Sequence, residues 1–151
     1  MTKLQAKQRA DLTYKYNQKQ GRHGWLRLTP AYSIKAVLKY LKTDHVAAHV
    51  LDPFSGTGTT GLLCAELGIT CDLLELNPFL VWFTQVKTRN YTEAELQAVQ
   101  KLTGRILAAT TTPVQQDFWT PPIRFIERWW SAPRLIVLAH IFHNLQTMGQ
   151  D

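Results

Sequence analysis

The sequence predicts an α/β fold with a small, incomplete parallel sheet, and three observations carry that expectation. Apolar runs of strand length end at Leu51 and again just before Glu75. Helical periodicities lie between and after them, so strands alternate with helices. The first run opens into a loop holding Gly56 and Gly58. Strand, glycine loop, helix, strand and acid suit a nucleotide-containing ligand, because each part meets a different piece of it. Glycines let the backbone bend sharply and come close, and the helix start offers N–H groups. A carboxylate at the tip of the second strand accepts from both ribose hydroxyls.

Taken in order, Thr29-Pro30 looks like an N-cap with proline at the first helical position. Ala31, Ile34, Val37, Leu38 and Leu41 then recur at helical spacing and predict an amphipathic helix over 30–42. Val46 to Leu51 reads as a short buried strand. Thr59 to Leu67 reads as a helix closed by Gly68. Asn77-Pro78 repeats the cap-then-proline signal ahead of an apolar helix from Phe79 to Val86. Thr92-Glu93-Ala94-Glu95 has the spacing of a capping box and opens a helix through Leu107, ended by Thr110 to Pro113. Val114 to Asp117 is polar and short, a poor strand. Ile123 to Trp130 reads as a short helix, and Leu135, Leu138, Phe142 and Leu145 mark a last helix with an apolar stripe.

The composition bounds the class. With 151 residues, 45% hydrophobic and 19% charged, the chain has room for one globular domain with a core. No apolar stretch approaches the roughly 20 residues that cross a bilayer, and the N-terminus lacks a signal-type apolar region. A cytoplasmic protein without membrane contact is expected. Cys64 and Cys71 have no ligand-spaced partners, so they read as buried thiols and no metal site is expected. His140 and His143, three apart on the last helix, read as helix-surface residues. The net charge of +6 is carried by residues 1–27, with seven basic residues against Asp11 alone. Lys15, Lys19, Arg22 and Arg27 there are interleaved with Tyr14, Tyr16, His23 and Trp25, which suits contact with nucleic-acid phosphates. A solvated arm is the alternative reading.

Gly56-x-Gly58-x-x-Gly61 matches the dinucleotide fingerprint in form. However, Asp52-Pro53-Phe54-Ser55 separates the strand from the first glycine, and Pro53 has no N–H where a diphosphate would need donors. No Lys-Ser/Thr follows the glycines, which excludes a P-loop. Asp52-Pro53-Phe54-Ser55-Gly56-Thr57-Gly58-Thr59-Thr60 resembles motif I of S-adenosylmethionine-dependent amino-methyltransferases. The segment from His23 to Ser33 and the run Glu75-Leu76-Asn77-Pro78-Phe79-Leu80-Val81-Trp82 extend the resemblance. It points to bacterial DNA methylases of restriction-modification type, acting on cytosine N4 or adenine N6. The resemblance implies a partial Rossmann-like methyltransferase fold. It implies that Asp52, Pro53, Phe54, Gly56, Gly58 and Thr59 surround the methionine end of S-adenosylmethionine, and that Glu75, followed by Asn77, holds the ribose. Thr29, Pro30 and Tyr32 would close the cofactor's outer edge. Tyr32 and Trp82 also suit a plain core role.

The same enzymes use an Asp/Asn/Ser-Pro-Pro-aromatic tetrad to polarise the target amine and stack on the flipped base. The Pro-Pro of this chain is Thr120-Pro121-Pro122-Ile123, and Ile123 offers no ring. A helix-entry role suits it better, and no catalytic residue is assigned. The charge count gives a basic arm over 1–28, the resemblance implies a cofactor-binding portion over 29–119, and the apolar stripe with Trp129-Trp130 marks a helical extension over 120–151 expected to meet a partner. DNA and a second protein chain supplying the tetrad are the expected partners, as in a split enzyme. The alternatives are a non-catalytic truncated fragment or regulator, and a fragment of an RNA guanine-N2 methyltransferase.

Overall fold

A computed structural model describes residues 10–28, 31–42, 49–111 and 118–148. The chain divides into two units, Met1–Asn90 and Tyr91–Asp151. Among the described residues no helix is long and apolar enough to cross a membrane.

The first unit begins with α1 (Tyr14–Asn17) between two 3₁₀ turns, Ala10–Leu12 and Gly21–Gly24. Residues 10–28 of the basic segment are thus folded. Asn17 explains why. Its side chain is buried, with Oδ1 accepting from Ile34 N at 3.0 Å and Nδ2 donating to the Tyr32 carbonyl at 3.1 Å. These two bonds hold the chain before α2 (Ile34–Leu41) in an extended form, and Tyr32 forms an antiparallel bridge with Thr13. The helix therefore starts later than the 30–42 expected. Its N-cap is Ser33, whose Oγ accepts from Ala36 N at 3.4 Å. Thr29 and Pro30 lie outside the described residues.

β1 (His49–Asp52) follows, then α3 (Thr59–Leu67) and β2 (Thr70–Leu73). The two strands pair in parallel, Val50 opposite Cys71 and Asp52 opposite Leu73, giving the α/β architecture of a partial Rossmann-like fold. Val46 to Ala48, expected in the first strand, lie outside the described residues. Leu62 and Cys64 of α3 are fully buried, and with Ile34, Leu63 and Leu80 they make the apolar core. Burial of a side chain such as Leu62 stabilises by about 1.5–3 kcal/mol. Gly68 ends α3 in the left-handed region (φ 69°), where Ile69 N reaches the Cys64 carbonyl at 2.9 Å. α4 (Pro78–Thr88) starts where expected, with the Asn77 side chain accepting from Phe79 N at 3.0 Å.

In the second unit α5 (Glu93–Thr111) opens on the expected capping box: Thr92 Oγ1 accepts from Glu95 N at 3.2 Å, and Glu95 Oε2 accepts from Thr92 N at 2.8 Å. It packs against α6 (Ala132–Met148). The helix expected over 123–130 reduces to a 3₁₀ turn, Ile126–Arg128. Phe125 precedes it at φ 57°, and a left-handed residue does not propagate into an α-helix. Leu138, Phe142 and Leu145 of the expected apolar stripe are exposed, whereas Ala139, His140 and Asn144 are buried. His140 is therefore not a surface residue; its ring stacks on Phe118 at 4.7 Å. Val114 to Asp117 lie outside the described residues.

Replacing Asn17 with Ala leaves the Ile34 N–H and Tyr32 carbonyl without their side-chain partner. Urea unfolding is expected to show a loss of about 2–4 kcal/mol, since each stranded buried group costs about 1–3 kcal/mol. A loss below about 0.5 kcal/mol would remove Asn17 from this role.

Candidate functional site

The parallel pairing does not stop at the strand ends. Leu74 N donates to the Asp52 carbonyl at 2.9 Å, and Ser55 N donates to the Leu74 carbonyl at 3.0 Å. These two bonds carry the chain after β1 alongside the chain after β2, so the glycine loop and Glu75 become neighbours. Glu75 Oε2 then accepts from Gly56 N at 2.9 Å, and Oε1 accepts from Asn77 N at 2.9 Å. A carboxylate has about four acceptor directions, so two such bonds leave capacity for a pair of ligand hydroxyls.

Each glycine of the loop answers a separate demand. Gly56 (φ 51°) and Gly58 (φ 69°) occupy the left-handed region that side chains disfavour. A Cβ on Gly58 would also stand 2.5 Å from Thr84 Cγ2, and one on Gly61 would strike Leu73. The loop therefore lies tight against α4, and α3 tight against β2. The first amides of α3, at Thr59, Thr60 and Gly61, have no acceptor within the helix and give its start a partial positive charge.

At the other side of the loop, Asp52 Oδ1 accepts from Phe54 N at 3.1 Å, and Oδ2 accepts from the Tyr32 hydroxyl at 2.8 Å. The same hydroxyl meets Thr60 Oγ1 at 3.0 Å. Burial pushes the Tyr32 phenol up to about 12; the Thr60 contact opposes this and the Asp52 carboxylate adds to it. Tyr32 is thus a neutral donor that ties the segment before α2 to the strand tip. It is also half-exposed, as is Trp82, so neither is a core aromatic. Tyr32, Val37, Tyr40, Leu51 and Asp52 line a mostly apolar cleft of about 450 Å³ between α2 and β1. Phe54 is 84% exposed and Leu76 fully exposed, leaving apolar side chains standing beside Asp52 and Glu75.

Of the residues singled out in the sequence, Tyr32, Asp52, Pro53, Phe54, Gly56, Gly58, Thr59, Glu75 and Asn77 lie at or around the C-terminal ends of the two strands. Lys15, Lys19 and Arg27 are exposed. Arg22 is turned inward: its guanidinium donates to the carbonyls of Lys87 at 2.8 Å and Arg89 at 2.9 Å. That caps the C-terminus of α4, where the helix dipole favours a cation. The residues that the sequence did not reveal are Thr60, Thr84 and Lys87. Thr84 and Lys87 are polar, three apart, and buried on one face of a largely apolar helix. That polar pair on a core-facing stripe was the available signal.

Among the described residues no cluster of metal-ligating side chains exists. In the second unit Thr120, Pro121 and Ile123 line an apolar cleft of about 280 Å³ with Trp119, Trp130 and Phe142. Ile123 N donates to the Pro121 carbonyl at 2.7 Å, which makes the Pro-Pro segment a tight turn.

Strand, glycine loop, helix and strand-tip acid are thus closed on one another at the C-terminal ends of β1 and β2. Over 71 residues the chain is 31% identical to the type II methyltransferase M.MjaII of Methanocaldococcus jannaschii; the match covers 46% of this chain and 13% of that protein. The similarity supports a relationship to methyltransferases in general. No family model matches the chain, and no solved structure matches it significantly.

Burial pushes the Cys71 thiol up to about 12, with Cys64 beside it adding to the shift, and burial raises Cys64 as well. At pH 8 both thiols are therefore held in the protonated, unreactive form. Iodoacetamide at that pH is expected to label the native protein far more slowly than the urea-unfolded chain. Cys64 is buried as expected, whereas Cys71 is only half-buried, and equal rates would contradict the protection of the pair.

Proposed function

We propose that the first unit binds S-adenosylmethionine as the cofactor-holding part of a DNA amino-methyltransferase acting on cytosine N4 or adenine N6. The observation that carries this reading is the closed ring of contacts at the strand ends, in which Glu75 is fixed on the Gly56 and Asn77 amides. The similarity to a type II methyltransferase supports it. The donor set suits the cofactor's polar parts. Glu75 would accept from the ribose hydroxyls, and Asp52 would face the amine of the methionine end. The start of α3 would meet its carboxylate. Phe54, Leu76 and Tyr32 offer apolar surface to the remainder. When bound, the cofactor supplies a methyl group on a sulfonium, open to direct attack by an amine. This chain's residues bind and orient that group and withdraw it from bulk water.

The polarising tetrad is a separate matter. Thr120-Pro121-Pro122 is followed by Ile123, so the base-stacking aromatic and its acceptor would come from sequence outside these 151 residues. A second chain is the reading we favour, with the exposed Lys15, Lys19 and Arg27 meeting DNA phosphates.

Calorimetry with S-adenosylmethionine is expected to show one site. Glu75→Ala should weaken it about 100-fold, as loss of charge-assisted hydrogen bonds implies. Labelled methyl transfer to DNA is expected only when a chain carrying a Pro-Pro-aromatic tetrad is added. Transfer by this chain alone would overturn the two-chain reading, and absence of cofactor binding in both cases would overturn the proposal itself.

A further inference from the structure

We propose that Thr84 and Lys87 of α4 are positioning residues for the glycine loop, holding two successive carbonyls inward so that the loop presents the Thr57 amide to the cofactor's carboxylate. This rests on the cofactor reading above. Thr84 Oγ1 donates to the Gly56 carbonyl at 3.3 Å, and Lys87 Nζ donates to the Thr57 carbonyl at 2.8 Å. Both side chains are buried, Lys87 to 1% exposure. In a trans peptide the N–H points opposite to the carbonyl of the same plane. Drawing the Gly56 carbonyl toward α4 therefore turns the Thr57 N–H away from it. The neighbouring amides are already committed: Gly56 N–H to Glu75 at 2.9 Å, and Gly58 N–H to the Ser55 carbonyl at 2.8 Å. The absence of a Cβ at Gly58 is what lets Thr84 come close enough to hold the loop.

A buried ammonium spent on one carbonyl needs a reason. A hydrophobic side chain would fill the same volume without the desolvation cost. An ammonium beneath the loop adds a positive charge where an anion binds. The titratable and charged groups facing it are Arg22 and His23 from the 3₁₀ turn Gly21–Gly24, and Glu66 from α3. His23 contacts Glu66 at 3.3 Å, and burial holds its pKa below the usual value, so near neutrality it stays uncharged. Burial lowers Lys87 to about 8; Glu66 opposes this and Arg22 adds to it. The ammonium is therefore lost as pH rises through about 8. In the unfolded chain the same lysine keeps its proton to about 10.5, so over that window this titration favours the fold with rising pH. A weakening of ligand binding in the same window then has the sign opposite to any loss of folding.

The test uses the whole chain, with S-adenosylhomocysteine as the probe, by calorimetry at pH 7 and pH 9, together with amide hydrogen exchange. At pH 7, Lys87→Met and Thr84→Val are each expected to bind about tenfold more weakly, and Thr84→Ser to stay within about twofold of wild type. Wild-type affinity should fall between pH 7 and pH 9 more steeply than that of Lys87→Met. Exchange at Gly56 and Gly58, whose amides are bonded within the loop, should accelerate in Lys87→Met and Thr84→Val while Thr70–Leu73 stays protected. Parallel pH curves, or unchanged exchange at the loop in a wild type that binds the probe, would overturn the positioning role. A wild type that binds no probe, with loop exchange still accelerated in the variants, would overturn the cofactor reading and leave the loop clamp standing. If Lys87→Met does not fold, Thr84→Val and Thr84→Ser decide the matter.

Discussion

The bond between Leu74 N and the Asp52 carbonyl, one step past the last strand pair, is the constraint on which the rest depends. It carries the parallel ladder to Leu74, and the return bond from Ser55 N to the Leu74 carbonyl, one residue out of register, ties the turn after β1 to the same segment. The two loops that leave the sheet therefore cannot drift apart. Glu75 meets Gly56 because of this register, not because of any attraction between an acid and a glycine. Slipping the pairing by one residue would put Glu75 on the opposite face of the strand and dissolve the site.

Around that register, polar groups are spent on shaping a loop rather than on stabilising a core. Among the described residues the apolar core of the first unit is small, with Leu62, Leu63 and Leu80 among its few buried large side chains. Alongside it lie buried Asn17, Ser33, Thr84 and Lys87, and each bonds a main-chain group of another segment. Such bonds add little net stability when made and cost much when broken. They specify one backbone path instead of many, which is what a site defined by main-chain donors requires. Arg22 belongs to this set, since capping the last carbonyls of α4 fixes the helix that carries Thr84 and Lys87.

Features encoded within a few residues were legible in the sequence. The Asn77 cap, the Thr92–Glu95 box and the Gly68 stop each depend on contacts within about five residues, and each occurs where expected. The succession of strand, glycine loop, helix and strand-tip acid was legible to the same degree, because these elements follow in order along the chain. What was not legible is long-range. Thr29-Pro30 has the local form of a helix start, but Asn17, from a segment expected to be a basic arm, draws Tyr32 and Ile34 into an arrangement that caps the helix at Ser33. Arg22 read as a phosphate-contacting cation, and only the carbonyls of Lys87 and Arg89 that it binds show that it caps α4 instead. His140 read as polar on a helix face, and only the Phe118 ring shows that this face is buried. In every case the deciding partner is more than ten residues away.

The central claim is that a cofactor is held at the C-terminal ends of β1 and β2 by main-chain groups of the glycine loop and by Glu75. Its most direct test is backbone chemical-shift mapping of isotopically labelled protein titrated with S-adenosylmethionine. The account predicts perturbations concentrated at Tyr32, at Gly56 to Thr60 and at Glu75 to Asn77. A saturable response confined to the second unit, or none at the glycine loop, would contradict it.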